Sequence, residues 1–145
     1  MVWPKSVQAV GSCTVSANNL GFGSYNFLSP ATLESSGNVR VSCSLVGLVS
    51  LLISYEILLS PGNSGSHTPR YLMNGGNQLR YNLYTNAART SIWGDGHAGT
   101  ARITDGYLLG LLTVVRNYPV YGSIPAGQNP SAGTYVDTIV VTLNF

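Results

Sequence analysis

The residues that could do acid–base or metal chemistry are few and scattered along the chain. The carboxylates form no close sequence pair, so no spacing favours the paired acid and base of a glycoside hydrolase. Asp95 and His97 both have side chains that ligate metals, but they flank Gly96, a pattern more typical of a solvated turn. The carboxylates are Glu34, Glu56, Asp95, Asp105 and Asp137, and the histidines are His67 and His97.

Motifs for nucleophilic and phosphate chemistry are absent from the sequence. It contains no Gly-x-Ser-x-Gly elbow, and its glycine-rich stretches lack the Lys-Ser/Thr of a phosphate loop. We therefore expect a protein that is not an enzyme and uses no cofactor. A sugar platform built from aromatic side chains is an alternative, although tyrosines in small sandwiches more often lie half-buried at strand ends. The aromatic residues concerned are Tyr81, Tyr84, Trp93, Tyr107, Tyr118 and Tyr121.

The chain has two cysteines, Cys13 and Cys43. An even count in a small chain with an exported type of composition suggests one disulfide, and two buried free thiols are the alternative. No CxxC motif occurs and no histidine lies near either cysteine in sequence, which argues against a zinc site or a thiol redox motif.

Composition indicates one well-packed domain that binds no nucleic acid. The chain has 145 residues, 44% of them hydrophobic, and this length and composition allow a sizeable core. Only 8% are charged, and 7 basic against 5 acidic residues give a net charge of +2, too small to neutralise a run of phosphates. The most apolar stretch, residues 45–59, is shorter than the roughly 20 residues of a membrane helix and predicts strands.

The N-terminus resembles the end of a secretory signal. Val7-Gln8-Ala9 places small residues where signal peptidase reads them, so we interpret residues 1–9 as the remnant of a truncated signal peptide. The domain would then be residues 10–145, and an irregular N-terminus is the alternative. This interpretation places the protein outside the cytoplasm.

Period-two alternation dominates the chain, and no useful helical period occurs. It is clearest in residues 38–45 and at the C-terminus, while residues 30–37 are predicted as a loop and residues 107–115 as one strand. Seven or so short strands joined by Gly- and Pro-rich turns predict an all-β, antiparallel sandwich. In residues 134–145, the side chains expected on one face are Tyr135, Ile139, Val141, Leu143 and Phe145, with Asp137 as the exception.

Several segments match a known family pattern. The most specific is Tyr-Asn-Leu-Tyr-Thr-Asn-Ala-Ala-Arg-Thr at residues 81–90. The other matching segments are residues 11–15, 20–25, 39–43, 59–66, 70–72, 79–80, 93–96, 121–122, 125–128 and 132–138. Together they resemble the spore coat protein U domain family, which includes subunits of archaic, Csu-type chaperone–usher pili. The resemblance covers the chain from about Gly11 to Phe145.

This resemblance implies an immunoglobulin-like, pilin-type sandwich that lacks its last strand. A periplasmic chaperone would supply a strand, an outer-membrane usher would assemble the subunits, and a neighbouring pilus subunit would supply the strand in the fibre. It further implies that Cys13 and Cys43 are the family's bridged pair, joining the first strand to the second. Gly133, Tyr135 and Asp137 would form the turn that enters the final strand. That strand, flanking the donor-strand groove, would contain Ile139, Val141, Leu143 and Phe145.

The function expected from the resemblance is a structural subunit of a surface pilus or coat. Only 12 residues precede Cys13 and Trp3-Pro4-Lys5 makes a poor donor strand, which favours a tip or end position in a fibre. The alternative is a self-contained secreted adhesin or coat domain that binds a surface or a glycan. Apolar loop residues would then make the contact, although core packing is the expected role of Leu48, Val49, Leu108 and Leu109.

Overall fold

Alternation of apolar and polar residues produces an antiparallel β-sandwich. The structure is a computed structural model, and it describes residues 11–45 and 49–145, so the interpretation of residues 1–9 lies outside the described residues. The strands of this part are β1 (Gly11–Ala17), β2 (Leu33–Leu45), β3 (Leu51–Leu59), β4 (Arg70–Asn74), β5 (Asn77–Tyr84), β6 (Ile103–Leu109), β7 (Val114–Ile124) and β8 (Val141–Asn144). Within these residues, no helix is long and apolar enough to cross a membrane.

The strands form two unequal sheets. Sheet 1 has five strands in the order β1-β2-β7-β5-β4, and sheet 2 has three in the order β6-β3-β8. Every named pairing is antiparallel, as the sequence predicts. The core lies between the sheets and is built from alternate residues of each strand. Its fully buried side chains include Val39, Val41, Ile57, Trp93, Leu109 and Leu143.

The disulfide fixes the outer strand of sheet 1. Cys13 lies opposite Cys43 in the β1–β2 register, and their sulfur atoms are bonded at 2.04 Å. The bond closes a loop with a sequence separation of 30 residues. In the chain-entropy view, closing a loop of that size stabilises the fold by about 3–4 kcal/mol.

Some strand predictions are wrong because strand pairing cannot be read from local composition. Residues 33–37 were expected in a loop but begin β2, because they complete a long ladder with β7 from Leu33↔Ile124 to Gly37↔Val120. The expected single strand over residues 107–115 is two strands with a connection at residues 110–113. Strand β4 was not predicted, and only residues 141–144 of the C-terminal stretch form a strand.

A polar cluster closes the β6 side of the sandwich. Asp105, on the outer strand of sheet 2, points inward and accepts a hydrogen bond from the Tyr118 hydroxyl at 2.6 Å. Its carboxylate also pairs with Arg116 at 3.0 Å. Partial burial alone raises the pKa of Asp105, but hydrogen bonds from Tyr118, the Gly106 N–H and Arg116 outweigh burial and hold that pKa below its usual value.

The lowered pKa of Asp105 predicts a specific pH dependence of stability. Because the folded state favours the carboxylate, this stabilisation is present above the unfolded pKa of about 3.9 and is lost as pH falls through the lower folded value. We expect Asp105→Asn to lower the free energy of unfolding at pH 7 and to approach wild type near pH 2. Denaturant unfolding across this range measures the difference, and parallel curves for the two proteins would contradict it.

Candidate functional site

The difference in width between the two sheets creates a groove. Sheet 2 has three strands against five in sheet 1, and inner-face residues of β4, β5 and β7, among them Leu72, Leu83 and Val120, line open pockets. Two irregular segments, residues 17–27 and residues 130–141, lie over this face. We call the space between these two segments the groove, and the segments its first and second walls.

Two glycines fix the first wall. Gly37 on β2 and Gly122 on β7 leave space on the inner face of sheet 1, which Leu20 and Phe22 occupy. A Cβ atom at Gly122 would lie 2.8 Å from the Phe22 ring, and one at Gly37 would lie 3.4 Å from the Leu20 Cβ. Phe22 also packs edge-on against Tyr81, with ring centroids 6.0 Å apart. The side chains of this wall therefore substitute for missing sheet in the core.

Contacts from β4 and from the β3–β4 connection hold the second wall. Val136 exchanges two backbone hydrogen bonds with Met73, at 2.8 and 3.0 Å. Asp137 accepts hydrogen bonds from the Tyr81 hydroxyl at 2.5 Å and from the Asn63 N–H at 2.7 Å. Burial is the main cause that raises the pKa of Tyr81, so its hydroxyl stays a donor to this carboxylate.

The groove has a narrow half and a wide half. The narrow half is a pocket of about 280 Å³ whose floor is the core itself, including Leu59, Leu83 and Val120. The wide half is about 970 Å³ and extends between the residues around Gly23 and those around Gly133. Leu72 and Asp137 line both halves, so the two pockets are adjacent. An extended peptide with apolar side chains on one face has the shape and chemistry that such a groove accepts.

The outer strands next to the groove present unpaired backbone groups. Asn18 donates its N–H to the Asn38 carbonyl, so it is a hydrogen-bonded partner in the β1–β2 register. Because hydrogen-bonded and non-hydrogen-bonded residues alternate along the strand, Cys13 and Val15 turn their N–H and C=O groups away from β2. The bond from Ser60 N–H to Val140 C=O does the same for the final strand, where Val141 and Leu143 turn theirs away from β3. Both outer strands therefore carry backbone groups that their neighbouring strand does not use.

The four residues predicted for the final groove strand take three different positions. Ile139 and Val141 line the narrow half of the groove. Leu143 is fully buried in the core, and Phe145 lies half-buried beside Asn144 at a shallow opening near Asp105. The structure thus brings the first two to the groove, while the side chains of the other two lie elsewhere. Their role in binding a strand stays a prediction.

The other sequence candidates fall in structural positions. Asp95 accepts a hydrogen bond from the His97 N–H at 2.9 Å in a tight turn, where the His97 ring is mostly exposed. Among residues 11–45 and 49–145, no group of three or more His, Cys, Asp or Glu residues could hold a metal ion. Trp93 is completely buried and donates its ring N–H to the Ile57 carbonyl. Strand alternation places Tyr84 and Tyr121 on the face of sheet 1 opposite Tyr81 and Tyr118, so the six aromatic side chains do not form one platform.

An exposed cluster of aliphatic side chains lies at the end of the sandwich where β1 begins. Core packing was expected for Val49 and Leu108, and that expectation is wrong: they are 75% and 66% exposed. Leu108 points outward because it lies on the opposite face of β6 from Leu109, which is buried as expected. Leu48 lies outside the described residues. We call this cluster the aliphatic end; its members are Val49, Leu52, Leu108, Leu111 and Leu112.

Comparison with known proteins identifies the family. The profile of the Spore Coat Protein U domain matches residues 5–142, almost the whole chain. The chain belongs to the Spore Coat Protein U domain family. It is also 30% identical over 146 residues to Protein U of Myxococcus xanthus, an alignment that covers 93% of this chain and 78% of that protein.

A solved structure shares the fold. It is the crystal structure of the CsuC–CsuE chaperone–tip adhesion subunit pre-assembly complex from archaic chaperone–usher Csu pili of Acinetobacter baumannii. The TM-score is 0.59 at 23% sequence identity, and the match covers 94% of this chain. The chain corresponds to 40% of the length of the chain it matches there, and this similarity supports the predicted immunoglobulin-like, pilin-type fold.

Sequence reasoning missed the first wall of the groove and two polar residues behind the second wall. The glycines that receive the side chains of the first wall, Gly37 and Gly122, lie far from it in sequence. Nothing in the sequence marked Arg70 or Ser60 as part of a site, and a single arginine in a strand normally points to solvent. Here Arg70 is completely buried, and burial lowers its pKa to about 10.

The close approach at Gly122 provides a test of the first wall in this Spore Coat U domain. We expect Gly122→Ala to displace Phe22 and to destabilise the fold by about 1–3 kcal/mol, as overpacking does. Gly21→Ala is the matched control, since a Cβ there meets nothing within 4 Å. Denaturant unfolding measures both variants. In a Phe22→Ala background, Gly122→Ala should be nearly neutral, because the ring that its Cβ would meet is gone. If Gly122→Ala destabilises the fold equally with and without the Phe22 ring, the contact is contradicted.

Proposed function

We propose that this Spore Coat U domain is a non-catalytic structural subunit of a chaperone–usher surface pilus or coat. Its groove would accept one β-strand from a partner. In that arrangement the ladder bonds provide affinity, and the pockets select alternate apolar side chains. The single observation that carries the proposal is the groove with a core floor, whose lining reaches the outer strands β1 at Ala17 and β8 at Val141.

The protection of the sheet edges favours the same site. Natural sheets protect their edges with inward-pointing charges or with covering chain. The β6 edge carries the inward-pointing Asp105, and Val136 covers part of the β4 edge. Neither β1 nor β8 carries a charged residue. The unprotected edges are therefore the two beside the groove, which is expected if a partner strand protects them in the assembled state.

The proposed partners supply that strand at successive stages. A periplasmic chaperone would donate it first, and a neighbouring subunit delivered through an outer-membrane usher would replace it. The protein would accordingly be exported through the periplasm to the cell surface. The family match and the shared fold with a chaperone-bound tip adhesion subunit support these partners.

Binding of a synthetic strand tests the proposal directly. The ligand is a peptide of about ten residues that alternates Val or Ile with Thr or Ser, and the control peptide has the same composition without alternation. Under non-reducing conditions, alternating peptide at 100 times its Kd should stabilise the full chain by ~2.7 kcal/mol, and the control peptide should not. Thermal unfolding with calorimetric titration measures the effect.

Two variants locate the peptide on the protein. Ile139→Asp places a charge in the narrow half of the groove and should abolish peptide binding. Thr104→Asp places the same charge on the exposed face of β6 and should leave binding unchanged. Failure of the wild-type chain to bind, or equal loss in both variants, would contradict strand acceptance in the groove.

A second candidate function is adhesion through the aliphatic end. Leu52 and Leu108 are cross-strand partners, and both point outward from sheet 2. Leu111 and Leu112 extend the same surface and are 73% and 83% exposed. Large exposed apolar clusters mark interaction sites, and a cluster without hydrogen-bonding side chains suits an apolar surface better than a glycan.

Adsorption to a hydrocarbon-coated surface tests this second function. We expect the Leu108→Ser, Leu112→Ser double variant to adsorb at least several-fold more weakly than wild type, with an unchanged unfolding midpoint. Leu28→Ser is the matched control, because Leu28 is 77% exposed but lies outside the aliphatic end. Equal adsorption of wild type and the double variant, or equal losses in double variant and control, would exclude adhesion through this end.

A further inference from the structure

A completely buried arginine lies behind the second wall of the groove. The Arg70 guanidinium donates to the Ser60 carbonyl through Nε at 3.1 Å and through Nη2 at 2.7 Å. It also donates to the Trp93 carbonyl at 2.7 Å and to the Asn82 side-chain oxygen at 2.9 Å. These acceptors are all neutral, and they come from separate parts of the chain. Arg70 therefore fixes several segments around one point at the end of β3.

Ser60 connects this point to the second wall. Its N–H donates to the Val140 carbonyl at 3.0 Å, and its hydroxyl accepts from the Val140 N–H at 2.8 Å. Val140 thus bonds to one residue through both of its backbone groups. The carbonyl of that residue accepts hydrogen bonds from two donors of Arg70.

The second wall depends on these contacts because it has little strand pairing of its own. Residues 137–140 precede β8, and of these only Val140 bonds to the end of β3, through Ser60. Ile139 lies between the two anchored residues, Asp137 and Val140, and lines the narrow half of the groove. The alternation that turns Val140 toward Ser60 also turns the N–H and C=O groups of Ile139 toward the incoming strand.

We infer that Arg70 and Ser60 are positioning residues that hold the second wall of the groove in the conformation that accepts a strand. This inference rests on the proposed function. Without the Ser60 hydroxyl bond, Val140 loses one of its two attachments, and the wall must be ordered when the strand binds. Ordering a segment during binding weakens affinity even where the final contacts are the same.

The test compares Ser60→Ala with Ser60→Thr and Ser66→Ala in the full chain, using the alternating peptide. Ser60→Ala should weaken binding about fivefold, equivalent to about 1 kcal/mol, mainly through slower association. Ser60→Thr retains the hydroxyl and should restore binding. Ser66→Ala removes a similar bond, to the Thr68 N–H, that does not touch the second wall, and it should leave affinity unchanged.

Arg70→Lys is the companion variant, since it keeps the charge but loses the forked set of donors. We expect it to weaken peptide binding at least as much as Ser60→Ala, and if it does not fold, the serine variants still decide. Unchanged peptide affinity in Ser60→Ala, or an equal loss of affinity in Ser66→Ala, would overturn the positioning role. In either case, binding of the peptide by the wild-type chain would still support strand acceptance. If the wild-type chain binds no peptide, the proposed function itself fails.

Discussion

The structure depends on one constraint: a five-stranded sheet must bury its inner face against a sheet of only three strands. Apolar side chains on that face need cover, because exposing them to water would be unfavourable. The chain solves part of this problem with irregular segments on either side of the groove. Gly37 and Gly122 admit the first segment, and hydrogen bonds from β4 and from the β3–β4 connection hold the second. The two segments leave the groove uncovered, and its floor is part of the core.

Polar groups divide the sandwich into a closed side and an open side. On the β6 side, Asp105, Arg116 and Tyr118 satisfy one another and prevent further pairing at that edge. On the other side, β1 is joined by a disulfide to β2, while β8 is joined to β3. Each strand is thus rigidly held on one flank and unpaired on the other. Strands held on one flank, beside a groove with a core floor, are what the proposed addition of a strand requires.

Local periodicity explains which parts of this arrangement the sequence could predict. The strict alternation of Val39, Val41 and Cys43 predicted the middle of β2, and turn residues predicted an all-β sandwich. Residues 33–37 were misassigned because Ser36 and Gly37 have low strand propensity, and only pairing with β7 makes them a strand. The groove walls and the buried Arg70 depend on contacts between residues distant in sequence. Only the resemblance to the Spore Coat U family indicated a groove. Of the four residues it pointed to, Ile139 and Val141 line the groove, while the side chains of Leu143 and Phe145 lie elsewhere.

Residue-resolved amide hydrogen exchange tests the central claim, that the groove accepts a strand between β1 and the final strand. Spectra of the full chain are compared with and without saturating alternating peptide. The account predicts that amides of Cys13, Val15, Ile139 and Val141 exchange faster in the free chain than in the complex. Amides at the β6 edge should be unaffected. Protection at the β6 edge instead, or binding without protection of β1 and the final strand, would contradict the account.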